Sequence, residues 1–166
     1  QVRQLDQIAI QQQGITSYDL MYRAGQAAFE NLVNFWPNTQ TICVLCGAGN
    51  NAGDGYVIAR LAQQAGLEVD VISLSEPSCL QGDAQRAYQA YLALGEAPIL
   101  YEGALSSADV YVDALLGTGL SRPLSDTYLQ VVQQLNAQAQ PILALDVPSG
   151  LNSDTGQPLL EAIKAD

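Results

Sequence analysis

The apolar positions change their period once along the chain. Up to about residue 36 they recur at helical spacing. Leu5, Ile8 and Ala9 mark a short helix ending near Gly14; Leu20, Met21, Ala24, Ala27, Ala28, Leu32 and Phe35 mark a longer one. Ser17 reads as the N-cap of that second helix, and Pro37 stops it. From residue 41 short apolar runs alternate with helical stretches. The pattern predicts strands near 41–46, 68–74, 98–101, 109–112 and 141–146, and helices near 54–66, 82–95 and 124–139. Such alternation predicts an α/β fold: a mostly parallel sheet with helices on both faces, preceded by two N-terminal helices. No repeat, low-complexity stretch or linker interrupts it, so residues 1–166 read as a single domain. The terminal Leu159–Asp166 has the character of a segment starting rather than finishing, and further chain beyond it is expected.

Composition narrows the function. A chain of 166 residues with 48% hydrophobic content suits one domain with a sizeable core. A formal net charge of -11, with only six Lys and Arg, argues against a nucleic-acid surface, which needs clustered cations. No apolar run approaches the ~20 residues of a membrane span, and no signal peptide is visible from Gln1 onward. Three Cys make a poor disulfide framework, so a reducing, cytoplasmic setting is expected. The absence of His removes His-based triads and His metal sites, and leaves acid–base work to Asp, Glu, Lys, Tyr or Cys.

Three segments carry candidate chemistry. The first, Gly47-Ala48-Gly49-Asn50-Asn51-Ala52-Gly53-Asp54-Gly55, joins an apolar strand to a helix. A glycine-rich turn of this kind presents bare N–H groups and a positive helix end, which suits phosphate. It lacks the Gly-Lys-Ser/Thr ending of a P-loop but fits the loose G-x-G-x-x-A form of a three-layer, Rossmann-like fold. Asp70, followed by four more residues of its predicted strand, lies too early to reach a ribose, which weakens ordinary NAD placement. The second segment runs from Asp113, at a strand end, through Gly117, Thr118, Gly119, Leu120, Ser121, Arg122 and Pro123. The third, Leu145-Asp146-Val147-Pro148-Ser149-Gly150, is again a strand ending in an acid. Oxygen groups from several strand ends suit a hard cation rather than zinc. Taken alone, each has a plainer use: a packing turn, a surface ion pair for Arg122, a turn cap for Asp146. Cys43 and Cys46, three apart in a strand, point to opposite faces and read as core, as do Tyr88, Tyr91 and Trp36.

Together Gly47–Gly55, Asp113–Pro123 and Asp146–Gly150 resemble the NAD(P)H-hydrate epimerase family, the YjeF N-terminal domain, and the opening Leu5-Asp6-x-x-Ala9-Ile10 and Leu20-Met21-x-Arg23-Ala24-Gly25 resemble its helical start. The chain departs from the family pattern at Tyr22, where Glu is common, and at Ala52, where Gly is common. The resemblance implies an epimerase interconverting the R and S forms of hydrated NADH and NADPH (NADHX and NADPHX). It implies a substrate site of Asn50, Asn51, Ala52, Gly53, Asp54, Gly117 to Pro123, Tyr128 and Asp146, with one potassium ion on Asn51, Asp113 and Ser149. Asp146 is expected to be the catalytic acid/base. As partners the resemblance admits a homodimer and a following ADP-dependent dehydratase domain. A non-catalytic scaffold of the same fold is the alternative; a conventional nicotinamide dehydrogenase is disfavoured by the place of Asp70.

Overall fold

The structure, a computed structural model, describes residues 14–120 and 123–166. The first expected helix therefore falls outside the described residues. The second is present as α1 (Ser17–Phe35), but its N-cap is Thr16 rather than Ser17. The Thr16 hydroxyl accepts from the Asp19 N–H at 3.1 Å, and the Asp19 carboxylate accepts from the Thr16 N–H at 3.3 Å. This reciprocal box needs an acid three residues after the cap, which Thr16 has and Ser17 lacks. The buried stripe of α1 is also rotated from the expected one: Tyr18, Gly25 and Leu32 are buried, while Phe35 is 72% exposed.

Five strands follow: β1 (Thr41–Cys46), β2 (Glu68–Ser73), β3 (Ile99–Leu100), β4 (Val110–Ala114) and β5 (Ile142–Ala144). They lie in the order β3-β2-β1-β4-β5, all pairs parallel. Three further helices, α2 (Asn50–Gln64), α3 (Gly82–Leu92) and α4 (Asp126–Asn136), supply crossovers. The strands and helices expected from residue 41 onward are all there, with shifted ends. α2 starts at Asn50, ahead of the expected 54, and β4 continues through Asp113, which was expected just beyond a strand.

Alternation along β1 splits the core into two layers. Val44 and Cys46 pack with α1, α2 and α3, whereas Cys43 and Leu45 pack with α4. The two cysteines are thus buried, free and on opposite faces. The α2 helix lies tight on the sheet at Gly55, where a Cβ would meet the Ala114 Cβ at 2.6 Å and the Cys46 Sγ at 3.0 Å. After β1 the chain winds outward to β3 and returns on the other side of β1 as β4. The carboxyl ends of β1 and β4 therefore form a topological switch point, the place where open α/β sheets bind ligands. Asp70 sits in mid-strand opposite Cys43, remote from that edge.

Candidate active site at the carboxyl edge of the sheet

A cleft of about 970 Å³ opens over the switch point. One wall is the start of α2. Its N-cap, Gly49, offers no side chain to the first-turn N–H groups, and Gly49, Asn50 and Asn51 line the cleft at the positive end of the helix. The Gly117–Leu120 loop after β4 packs beside it, and Leu145–Asp146 after β5 join the lining. Of the residues named from the sequence, Asn50, Asn51, Asp54, Gly117, Thr118, Gly119, Leu120, Tyr128 and Asp146 all line the cleft.

Other expected residues stand elsewhere. Ala52 and Gly53 are buried and do not reach the cleft, because the helix has already begun and turns them inward. At Gly53 a Cβ would meet the Met21 side chain at 2.7 Å and the Ala84 Cα at 2.9 Å, so its role is to let α1 and α3 approach. Pro123 is exposed and outside the lining, and Ser121 and Arg122 lie outside the described residues. Missing from the sequence-based set is one side of α1: Leu20, Ala24, Ala28 and Asn31 line the cleft, and Asp83 joins them from α3. The small residues four apart, followed by a polar one, were the available signal.

Behind the lining, three segments meet through one chain of hydrogen bonds. The Asn51 Nδ2 donates to the Leu116 carbonyl at 3.0 Å, and the Leu116 N–H donates to the Ser149 Oγ at 3.0 Å. That hydroxyl donates to the Asp113 Oδ1 at 2.6 Å, while the Ser149 N–H donates to its Oδ2 at 2.8 Å. Asp113 and Ser149 are fully buried and Asn51 nearly so. Burial pushes the Asp113 carboxyl upward, against hydrogen bonds from Ser149 and Leu115 that hold it down, and no cationic side chain among the described residues joins in. The cluster offers oxygens of four kinds: carboxylate, hydroxyl, amide and backbone carbonyl. Asp113 is its one acidic side chain, and among the described residues no three Cys, Asp or Glu side chains group together.

Asp146 is placed differently. It is exposed, has a left-handed backbone at φ 65°, and accepts from the Thr118 N–H at 2.9 Å through Oδ2. It thereby pins the Gly117–Gly119 loop and shares the cleft with Asp54. The Asp54 carboxyl is pushed up to about 7, first by its own burial and then by the negative charge of Asp146. At neutral pH Asp54 thus retains its proton in a substantial fraction of molecules. Tyr128 stands by the Gly47–Ala48 turn, its hydroxyl raised by burial.

The YjeF-related protein N-terminus profile matches residues 17–166, which includes every element of this site. The chain belongs to this YjeF-related family. The YjeF-related domain is 46% identical over 167 residues to the bifunctional NAD(P)H-hydrate repair enzyme Nnr of Coxiella burnetii, covering 99% of this chain and 34% of that protein. It is 39% identical over 168 residues to the NAD(P)H-hydrate epimerase of Limosilactobacillus fermentum, covering 100% of this chain and 80% of that one. The domain therefore spans about a third of the bifunctional relative and most of the single-function one. Its fold matches the crystal structure of yeast ynu0 with a TM-score of 0.83 at 22% identity, over 99% of this chain and 74% of that chain.

Proposed function

We propose that this YjeF-related domain epimerises hydrated NADH and NADPH, interconverting their R and S forms, with a potassium ion held behind the substrate. The observation that carries the reading is that Asp146 and the half-buried Asp54, whose carboxyl burial and the Asp146 charge push up, share one cleft beside a helix N-terminus without a side-chain cap. The two kinds of relative share one substrate in their names, NAD(P)H-hydrate, and this chain aligns with both over its full length.

Each part of the cleft has work in such a reaction. The first-turn N–H groups of α2 suit the pyrophosphate, which an acidic protein must hold by backbone and dipole rather than by side-chain cations. Asp113, Ser149, Asn51 and the Leu116 carbonyl would hold the potassium ion; its charge would offset the buried carboxylate and favour a bound anion. Epimerisation at C6 of the nicotinamide ring requires the C6–O bond to break and re-form on the other face. The hydroxyl leaves as water once a proton reaches its oxygen, and the ring nitrogen lone pair becomes the second C6–N bond of an iminium cation. Water then adds to the opposite face and returns a proton to a carboxylate. Asp146 is the acid/base of this cycle, and Asp54 is the adjacent store of the proton. The ionised carboxylate also stabilises the cation between the two halves.

The test is direct. R-NADHX incubated with the protein in potassium buffer is followed to the S form by chromatography. Conversion well above the spontaneous rate, lost in Asp146→Asn, supports the reading. A rate equal to the spontaneous one, from protein whose Tm rises with ligand, would point to a binding scaffold.

A further inference from the structure

We propose that Asn136, at the end of α4, is a positioning residue for the Asp113–Ser149 oxygen cluster, acting through the strap formed by residues 159–166. In its functional part this rests on the potassium and epimerase reading above; its structural part stands apart from it.

The strap has no helix or strand of its own, yet it is tied at both ends and in the middle. The Leu159 N–H donates to the Gly150 carbonyl at 3.0 Å, and the Ile163 N–H to the Ser149 carbonyl at 2.9 Å. The Asp166 N–H donates to the Ile142 carbonyl at 3.1 Å, and the Ile142 N–H returns a bond to the Asp166 Oδ2 at 3.0 Å. Ile163 is buried in the α4 side of the core. Gly150, at φ 96°, lies against the strap so closely that a Cβ would meet the Ala162 Cα at 2.8 Å.

One side chain organises this from outside. The Asn136 Nδ2 donates to the Ala162 carbonyl at 2.9 Å, while its Oδ1 accepts from the Lys164 N–H at 2.9 Å. An amide that donates to residue 162 and accepts from residue 164 grips the backbone on either side of Ile163. That grip fixes the direction of the Ile163 N–H, whose acceptor is Ser149. The Ser149 residue is then held on two sides: its carbonyl by the strap, its N–H and hydroxyl by Asp113. The same hydroxyl takes the Leu116 N–H, and the Leu116 carbonyl takes Asn51. Hydrogen bonds joined through the backbone of residues 162–164, Ser149 and Leu116 therefore link an outer helix end to Ser149, Asp113, Leu116 and Asn51. Among the described residues, no group other than Asn136 is both outside the cluster and bonded to the strap backbone twice through its side chain.

Gln133 supplies the control. It lies one turn earlier on α4, is exposed, and reaches the strap through the Glu161 carboxylate at 3.0 Å. It tests contact with the strap without the backbone grip. Asn136→Asp keeps the acceptor for Lys164, loses the donor to Ala162 and to the Glu161 carboxylate at 3.5 Å, and sets a second carboxylate beside Glu161. Asn136→Ala removes donor and acceptor together.

The measurement is amide hydrogen exchange by NMR on the whole chain, with potassium titrated in parallel by thermal shift. In both Asn136 variants, exchange at Ile163 and at Leu116 is expected to rise about fivefold or more, with β1 amides such as Val44 unchanged. Gln133→Ala should leave Leu116 at the parent rate. The potassium concentration for half-maximal stabilisation should rise by a similar factor in the Asn136 variants, at an unchanged ceiling. A Leu116 amide as protected as in the parent overturns the proposal, as does a rise shared equally by Val44, which would mean general loosening. If the parent shows no response to potassium, the cation reading fails, and the exchange at Leu116 still decides the positioning role.

Discussion

The Ser149 hydroxyl lies 2.6 Å from the Asp113 Oδ1, joining residues 36 positions apart, and it accepts the Leu116 N–H with its remaining capacity. One small side chain thus ties the end of β4 to the turn after β5. Removing it in Ser149→Ala leaves a buried carboxylate and a loop N–H each short of a partner, which costs about 1–3 kcal/mol. Thermal unfolding should show a drop of several degrees, and added potassium should restore less of it than in the parent.

Asp54→Asn is expected to change the pH dependence of stability. The folded chain holds the Asp54 proton up to about 7, while the unfolded chain releases it near 3.8. Between these values the folded state binds more protons than the unfolded one, so this group favours folding at low pH and its contribution is lost as pH rises through the window. The variant should match the parent at pH 4 and exceed it by about 1–2 kcal/mol at pH 8, the value reduced for partial solvent access. Urea unfolding across that range would reveal a constant difference if the shift were absent.

Asp146→Asn should fold as the parent does, since Asn tolerates the same left-handed backbone and its side-chain oxygen can still take the Thr118 N–H. Epimerisation of R-NADHX should fall by about 10²–10⁴-fold, the usual worth of a positioned acid/base. Far-UV circular dichroism alongside the chromatographic rate separates lost chemistry from lost structure.

Gly55→Ala places a methyl group within 2.6 Å of the Ala114 Cβ and 3.0 Å of the Cys46 Sγ. Because the sheet and α2 are both rigid there, the overpacking should cost about 1–3 kcal/mol. Since the same helix presents the first-turn N–H groups, ligand binding should weaken with it. An unchanged urea midpoint would show that the helix can lift without penalty.

Much of this was legible in the chain. The period change near residue 41 placed the five strands: β1 and β4 are buried and stand out as apolar runs between helical stretches, and the short β3 shows an apolar pair although both its residues are exposed. The three glycine- and acid-bearing segments named most of the cleft, since backbone approach and oxygen chemistry leave few residue choices. Other features were hidden for physical reasons. The start of α2 at Asn50 is set by Gly49, whose capping uses no side chain and leaves no signature. The face of α1 was misjudged because Leu20 and Ala24 are apolar yet serve the cleft, while the buried positions include glycine and tyrosine. The Leu116 carbonyl, which links Asn51 to the rest, belongs to the backbone and has no letter of its own.

The left-handed backbone of Asp146 sets fold and chemistry at odds. A residue with a Cβ at φ 65° is under conformational tension that glycine would relieve. A descendant of this protein released from catalysis would gain firmness by exchanging Asp146 for Gly, at the cost of the loop contact to Thr118. On the proposed mechanism the carboxylate occupies this torsion for its reactivity, which the more relaxed glycine could not supply.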